Sequence, residues 1–286
     1  DEEIEEHVGS IADHLDRAGE AEQALIYLRR AGEQAAAQFA NAEAVDYFSR
    51  ALDLTPAEEL VERYALLLAR EKVYDVQGAR EAQQGDLAEL RRVAEALDDE
   101  RRAEAALRRA NYADMIGDYP AAIASARVVI SLAQAAQDVR QEAAAYVQWG
   151  KALWRQGKYE AAQSQLEQAL TLARTTEARE VEADGLRYLG LIAWNQGRYA
   201  QAKLFQEQAL RTYREIGNRQ YEGGALNNLG IVSKNRGHYA AARNYYRQAL
   251  RIFREIGERR GEGIVLGNLG EVFRMQGNYA QAKANY

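Results

Sequence analysis

The residue types that most readily perform chemistry are scarce in this chain, which has three histidines and no cysteine. His7 and His14 lie seven residues apart on a predicted helix with Glu3 and Glu6 nearby, so this segment could in principle hold a metal ion. Exposed polar residues on a solvated helix produce the same pattern, and we favour that interpretation. His238 occupies a turn position that other residue types fill elsewhere in the chain. The sequence therefore predicts no metal site, and the lack of cysteine excludes disulfides and thiolate chemistry.

Two glycine-containing segments resemble nucleotide-binding loops but fail on spacing. A phosphate-binding loop needs a glycine, four residues, and then glycine, lysine and a hydroxyl residue. The nearest approach runs from Gly150 to Gly157 and Lys158, which is too long and continues into a tyrosine. The segment GEGIVLG at 261–267 lacks the spacing of a dinucleotide fingerprint, and no predicted strand precedes it. Since no nucleophile, base and orienting residue form a set elsewhere, we expect no cofactor and no enzymatic activity.

Composition favours a folded, helical chain without membrane segments. The 286 residues are 47% hydrophobic and 28% charged, and they include only two prolines. No apolar run approaches the roughly 18 residues that cross a bilayer. The acidic opening segment has neither the basic nor the apolar region of a signal peptide. We therefore expect a cytoplasmic protein without membrane contact, and the absent start methionine suggests a piece of a longer one.

The net charge of −6 conceals a difference between the two halves of the chain. Residues 1–137 carry 15 basic and 28 acidic groups, whereas residues 138–286 carry 22 and 15. A basic half could face an acidic partner or nucleic acid, although solvated helix faces produce the same imbalance. Because the whole chain is acidic, we rank nucleic-acid binding second. A binding affinity that falls steeply as the salt concentration rises would reveal it.

A short motif of a glycine, one polar residue and a tyrosine recurs every 40 residues. It occurs at Gly117/Tyr119, Gly157/Tyr159, Gly197/Tyr199, Gly237/Tyr239 and Gly277/Tyr279. An alanine follows each tyrosine three residues later, and another glycine precedes each of the last four motifs by seven residues. Internal repeats of this length indicate a solenoid.

Each repeat is typical of a helical hairpin. The motif glycine supplies the left-handed residue that ends one helix and reverses the chain. Gly230 and Ala242 carry almost no side chain, so the paired helices can approach closely there. The spacing predicts a helix of about 18 residues from Tyr239 to Ile256. We expect an all-α solenoid of about seven helix pairs, with irregular hairpins over 1–97 and a regular array over 98–286 whose last repeat is truncated. Within the irregular part, the segments 19–31 and 39–56 are both typical of second helices.

The segment ALNNLGIVSKNRGHYAAARNYYRQAL at 225–250 resembles the tetratricopeptide repeat signature, in which a large residue, leucine and glycine precede a turn glycine, a tyrosine and alanines. The 40-residue period is similar to the variety in kinesin light chains and in bacterial multidomain signal-transduction ATPases and adenylate cyclases. The opening segment, residues 7–52, resembles the part that follows the ATPase core in those bacterial proteins. The resemblance implies a right-handed superhelix that serves as a protein- or peptide-binding scaffold or sensor. It also implies a parent protein that is a larger bacterial signalling ATPase or transcription regulator.

The first helices of successive hairpins line the concave surface in such arrays, so their free faces are candidate binding positions. The resemblance implies that Asn228 and Asn268 hold the main chain of an extended peptide, since amides both donate and accept. Arg187, Lys234 and Arg274 would favour carboxylates, which makes an acidic peptide the sharpest hypothesis. The full candidate set is Asn227, Asn228, Asn268, Arg187, Tyr188, Lys234, Asn235, Arg274, Trp154 and Trp194.

The same residues also have structural explanations. The asparagines could bridge neighbouring helices, the cations could be solvated, and Trp154 and Trp194 could pack between hairpins. The arginines on second helices form mixed-sign pairs typical of a solvated face; these are Arg211, Arg214, Arg247, Arg251 and Arg254. A third interpretation is a structural spacer that associates weakly with a second copy through its truncated end.

Overall fold

The computed structural model describes residues 7–285, which form 15 helices without any strand. The helices are α1 (Val8–Ala18), α2 (Ala21–Ala37), α3 (Asn41–Leu54), α4 (Leu60–Gln77), α5 (Arg80–Glu95), α6 (Asp99–Ile116), α7 (Tyr119–Ala136), α8 (Val139–Arg155), α9 (Tyr159–Thr175), α10 (Arg179–Asn195), α11 (Tyr199–Glu215), α12 (Arg219–Asn235), α13 (Tyr239–Glu255), α14 (Arg259–Met275) and α15 (Tyr279–Asn285). Within residues 7–117, and again within residues 118–285, connections of a few residues make consecutive helices antiparallel neighbours. The prediction of an all-α solenoid of helix hairpins is therefore confirmed. No helix among the described residues is both long and apolar enough to cross a membrane.

The helices belong to two compact units, one ending at Gly117 and the other beginning at Asp118. Each unit has its own apolar core. In the first, fully buried side chains include Leu28, Phe48, Leu66 and Leu90. In the second, they include Leu166, Tyr213, Leu229 and Tyr246. The sequence predicts irregular hairpins before residue 98 and regular repeats after it. This boundary stays a prediction.

The turns between paired helices have the predicted geometry. Gly157, Gly197, Gly237 and Gly277 have φ values between 73° and 76°, which is the left-handed region that glycine adopts without steric penalty. The helix predicted to run from Tyr239 to Ile256 is α13, which ends one residue earlier at Glu255. The repeating motif therefore marks the helix ends to within a residue.

A glycine in the middle of a first helix faces a large side chain from the second helix of the same hairpin. The pairs in the second unit are Gly150 with Leu166, Gly190 with Gln206 and Gly230 with Tyr246. At Gly150, an added Cβ would lie 2.6 Å from Leu166 Cγ and 3.3 Å from the carbonyl oxygen of Ala162. The predicted close approach of the paired helices is thus confirmed. We call each of these positions a glycine notch.

One helix in the first unit differs from the expectation. The segment 19–31 was expected to be a second helix, but it belongs to α2, whose Gly32 lies against Phe48 of α3. A Cβ at Gly32 would stand 2.6 Å from Phe48 Cε1, which is the glycine-notch arrangement. Helix α2 is therefore the first helix of its pair, and the expectation was wrong. The physical reason is that Gly19, with φ of 77°, precedes α2 in the left-handed conformation, as the turn glycines precede second helices in the regular repeats.

Candidate binding face

The first helices of four successive hairpins in the second unit, α8, α10, α12 and α14, contact one another in chain order. The second helices α9, α11 and α13 each pack against the first helices on both sides. Side chains that bridge one first helix to the next consequently share one surface. We call this surface the first-helix face, and it carries most of the predicted binding residues.

Amide side chains link the helices of the first-helix face. Asn268 Nδ2 donates a hydrogen bond to Asn227 Oδ1 at 2.8 Å, which joins α14 to α12. Asn228 Nδ2 donates to Gln206 Oε1 at 3.3 Å. The three asparagines are half-buried. Since an amide has two N–H donors and an oxygen with two lone pairs, each asparagine bridges its neighbour and still has hydrogen-bonding capacity for a ligand.

Gln206 of the second helix α11 is a buried residue that contacts this face, and sequence reasoning missed it. Its side chain is 1% exposed, and its Nε2 donates at 2.9 Å to the main-chain carbonyl of Arg187. It reaches that carbonyl because Gly190 leaves the space open. The sequence did contain a signal, since the equivalent positions in neighbouring repeats are Leu166 and Tyr246. A polar amide in a row of core residues points to a specific partner.

Arg187 is held by surrounding side chains. Its guanidinium carbon lies 4.1 Å from the ring centroid of Tyr188 and 5.3 Å from that of Tyr221. Asp184 forms an ion pair with it at 3.2 Å, and Asp184 Oδ1 also accepts a 2.6 Å hydrogen bond from the hydroxyl of Tyr213. Burial opposes the positive charge, but Tyr188 and Asp184 outweigh it and raise the pKa of Arg187. The charge is consequently balanced inside the protein.

The two predicted tryptophans pack towards the following hairpin. The Trp154 ring lies 5.7 Å from the ring of Tyr188 and is tilted to it by 54°. Trp194 packs in a cluster that includes Val232 of α12. Both tryptophans are half-buried, and Tyr188 is only 6% exposed. Tyr188 therefore lies in the core, and the tryptophans contribute to the contact between hairpins.

The remaining predicted cations differ in their surroundings. Lys234 forms an ion pair with Glu271 of α14, and the two side chains are 12% and 39% exposed. Arg274 and Asn235 are exposed. Of the three cations expected to attract a carboxylate, Arg187 and Lys234 thus already have an acidic partner within the protein.

The arginines of the second helices also have acidic partners nearby. The ion pairs are Arg214 with Glu222 at 2.9 Å, Arg251 with Glu255 at 2.8 Å and Arg254 with Glu262 at 2.7 Å. Arg211 and Arg247 are exposed. Mixed-sign pairs at a surface contribute little energy each, which agrees with a solvated face.

The histidines lie at the surface. His7, His14 and His238 are exposed, whereas Glu3 and Glu6 fall outside the described residues. Within residues 7–285, no group of three or more histidine, aspartate or glutamate side chains is arranged to hold a metal ion.

Comparisons with known proteins agree with this architecture. A family model described as the tetratricopeptide repeat matches residues 141–215 and 221–286. No curated protein is similar to the sequence at a significant level. A signal transduction ATPase with numerous domains from Pyrococcus horikoshii, which has a tetratricopeptide repeat sensor, is 14% identical with a TM-score of 0.69, and the similarity covers 99% of this chain but 45% of that one.

Two further solved structures have the same fold. The Rap conjugation gene regulator of plasmid pLS20, in complex with the Phr* peptide, is 13% identical with a TM-score of 0.63 over 91% of this chain and 71% of that one. A protein of Podosopora anserina, described as a kinesin light chain with nearly identical repeats, is 14% identical with a TM-score of 0.52 over 64% of this chain and 91% of that one. At these identities the similarity shows the fold alone.

Proposed function

This chain belongs to the tetratricopeptide repeat family, and from that premise we propose that its first-helix face binds an extended peptide or protein segment. The observation that carries the proposal is the set of asparagine amides across α12 and α14, which are Asn227, Asn228 and Asn268. Their contacts with one another and with Gln206 hold them in place before any ligand arrives. Preorganised groups lose less conformational entropy on binding than mobile ones.

An extended peptide suits these amides because its main chain presents a donor and an acceptor at nearly every residue. Amide side chains can form hydrogen bonds with both main-chain groups without contacting the ligand's side chains. The pLS20 regulator, which shares the fold, is bound to a peptide in its structure. That structure supports a peptide as the ligand class here.

We further propose that the array is a sensor or scaffold within a larger bacterial signalling ATPase or transcription regulator, and that it performs no catalysis itself. The Pyrococcus horikoshii protein supports this role, since its repeats are described as a sensor and the similarity covers less than half of its length. Binding of a partner to the first-helix face would be the input to such a sensor.

Nucleic-acid binding by the basic half of the chain, residues 138–286, is the weaker candidate. Phosphate contacts need cations that a ligand can reach. Three of the five arginines singled out on the second helices of this half form ion pairs with Glu222, Glu255 and Glu262. A polyanion would have to compete with those carboxylates.

The proposal can be tested by selecting peptides from a randomised display library with the parent protein and measuring their affinities by fluorescence anisotropy. We expect the double variant Asn227→Ala, Asn268→Ala to weaken binding of the selected peptides about tenfold or more, since each deletion removes a hydrogen-bonding group. The matched control is Gln208→Ala with Gln248→Ala, which removes two amides from grooves on the second-helix side.

Equal affinities in the parent and the Asn227, Asn268 variant would place the ligand elsewhere. A library that yields no enriched peptide would contradict peptide binding itself.

A further inference from the structure

A pattern of charged residues recurs at the junctions between hairpins of the second unit, and the proposed function does not use it. An arginine is followed by a second arginine five residues later and by a glutamate three residues after that. The three occurrences are Arg174, Arg179 and Glu182, then Arg214, Arg219 and Glu222, and then Arg254, Arg259 and Glu262. Since the spacing is 40 residues each time, three successive junctions carry the same groups at equivalent positions.

In all three occurrences both arginines bind the glutamate. At the junction of α11 and α12, Glu222 accepts a 2.9 Å hydrogen bond from Arg214 of α11 and another from Arg219 of its own helix. The Glu222 side chain is 7% exposed, and those of Glu182 and Glu262 are 13% and 15% exposed. Enclosing a carboxylate is costly unless it is paired and hydrogen-bonded, and here two guanidinium groups meet that need.

The second arginine extends these contacts across its own hairpin. Arg179 of α10 also binds Glu215 at the end of α11, and Arg219 of α12 binds Glu255 at the end of α13. Ion pairs therefore run from α9 through α10 to α11, and from α11 through α12 to α13. We call this set the ion-pair ladder, which consists of Arg174, Arg179, Glu182, Arg214, Glu215, Arg219, Glu222 and Glu255.

The ion-pair ladder crosses the grooves between consecutive second helices. The groove between α9 and α11 has a volume of about 300 Å³, and its lining includes Arg174, Arg179, Glu182 and Glu215. The groove between α11 and α13 has a volume of about 350 Å³, and its lining includes Arg214, Arg219, Glu222 and Glu255. The first helices contact one another directly, whereas the second helices pack on the first helices at either side. At these grooves, the side chains of the ladder connect one second helix to the next.

We propose that the ion-pair ladder sets the separation of consecutive second helices, and with it the spacing of the hairpins in the second unit. A single exposed ion pair would hold little. Each junction here instead contains an enclosed glutamate whose charge is neutralised from two helices, so α9 cannot move away from α10 unless Glu182 loses Arg174. When the ladder is broken, the second helices move apart while the first helices stay in contact.

The first junction of the second unit has a weaker form of the same contact. Gln134 at the end of α7 donates a 2.7 Å hydrogen bond to Glu142 of α8, and Val139 stands where the second arginine lies in the later repeats. An uncharged donor thus replaces a charged one, and the attraction across that junction is smaller. Glutamine is therefore the intermediate substitution for testing the ladder.

The test measures one distance across two repeats. Because the chain has no cysteine, Ser164→Cys on α9 and Asn244→Cys on α13 create two unique sites for spin labels. Both positions are exposed, and they are equivalent in their repeats. Pulsed electron paramagnetic resonance gives the distribution of distances between the labels. The measurement involves no ligand, so its outcome is independent of the proposed peptide binding.

Two double variants break the ladder by different amounts. Arg174→Met with Arg214→Met removes the charged donors from two junctions, whereas Arg174→Gln with Arg214→Gln leaves uncharged ones. Each enclosed glutamate keeps its second arginine in both variants. The matched control is Arg211→Met with Arg247→Met, which removes two exposed arginines that have no ion-pair partner among the described residues.

We expect the methionine variant of the ladder to show a longer mean distance and a broader distribution than the parent. The glutamine variant should lie between the two, and the control should match the parent. Circular dichroism checks that each variant remains helical. Should the methionine variant not fold, Glu215→Gln with Glu255→Gln cuts the ladder at its exposed carboxylates, and the same lengthening is expected.

Two results would overturn the inference. Identical distributions for the parent and the folded ladder variants would mean that helix packing alone sets the spacing of the hairpins. A control that lengthens the distance as much as the methionine variant of the ladder would mean that the effect comes from lost surface charge in general. Neither result bears on peptide binding, which the library selection tests separately.

Discussion

The ring of Tyr246 lies in the space that a side chain at Gly230 would occupy. A Cβ added at Gly230 would stand 2.6 Å from Tyr246 Cδ1, closer than real Cβ atoms come to a ring carbon. Both residues are buried, and the ring has no room to retreat without disturbing the packing of α12 on α13. Glycine is thus required at position 230 because of the Tyr246 ring. The backbone conformation there is helical and would accept other residues.

Replacing Gly230 by alanine should destabilise the protein by about 1–3 kcal/mol, because overpacking a filled core forces the ring and backbone to shift. Gly224 lies in the same helix, but an added Cβ there meets nothing within 4 Å. Gly224→Ala should therefore stabilise the protein by about 0.5–1 kcal/mol through helix propensity. Urea unfolding followed by circular dichroism measures both, and a similar effect of the two substitutions would contradict the role of the notch.

The notch of Gly190 gives a different expectation, because it contains Gln206. Leu166 fills the equivalent notch in the preceding repeat, so Gln206→Leu should keep the volume and change stability by less than about 1.5 kcal/mol. Gln206→Ala should cost about 2 kcal/mol or more, since it leaves a cavity. The same unfolding measurement distinguishes them. A leucine variant as unstable as the alanine variant would mean that the hydrogen bonds, not the volume, hold this position.

Much of the architecture could be predicted from the sequence, because the glycine and the tyrosine of each repeat mark where one helix ends and the next begins. Gly237 and Tyr239 mark the turn before α13, and the helix ends within one residue of the prediction. The prediction failed at α2, because Gly19 precedes this helix in the left-handed conformation that marks the start of a second helix elsewhere. A glycine that ends one helix does not by itself show whether the next helix is the first or the second of its pair.

The binding face was predictable only in part. Helical periodicity placed Asn227 and Asn228 on α12, yet it could not show which acid would reach each cation. The partner of Lys234 lies on the next hairpin, 37 residues away in sequence, and depends on how the two helices are offset. Pairings across hairpins are set by packing, which single-sequence periodicity does not contain.

The first unit offers a test of buried charge. Glu71 of α4 is fully buried, accepts a 2.8 Å hydrogen bond from Gln83 and pairs with Arg108 of α6 at 2.6 Å. Arg108→Ala should destabilise the protein by about 3–5 kcal/mol, because it leaves Glu71 buried without a counter-charge. Arg29→Ala, which removes an exposed pair with Glu33 and Glu62, should cost at most about 1 kcal/mol.

A second substitution checks the cause of that loss. Glu71→Gln in the Arg108→Ala background should recover part of the stability, since the buried charge is gone. A double variant that is no more stable than Arg108→Ala alone would show that lost packing of the arginine, and not the unpaired carboxylate, dominates.

Alkaline pH should destabilise the second unit through its buried tyrosines, and Tyr246 provides the cleanest measurement. Burial raises the pKa of Tyr246 above its ordinary value, whereas in the unfolded chain the hydroxyl ionises near about pH 10. The folded state therefore holds a proton that the unfolded state loses. Its stabilising contribution is complete below about pH 10, and stability falls as the pH rises from there towards the raised pKa. Each such tyrosine contributes a slope of up to about 1.4 kcal/mol per pH unit.

Tyr246→Phe removes one titrating group without removing a hydrogen bond within the described residues. The variant should match or slightly exceed the parent in free energy of unfolding at neutral pH. Above about pH 10 this free energy should fall less steeply with pH than in the parent, by the contribution of one titrating proton. Urea unfolding at a series of alkaline pH values measures the difference. Tyr213 is buried beside Asp184 and its pKa is also raised, so the variant should keep a residual slope. Parallel curves for the parent and Tyr246→Phe would mean that the Tyr246 hydroxyl ionises as readily in the folded protein as in the unfolded chain, which would contradict its enclosure behind Gly230.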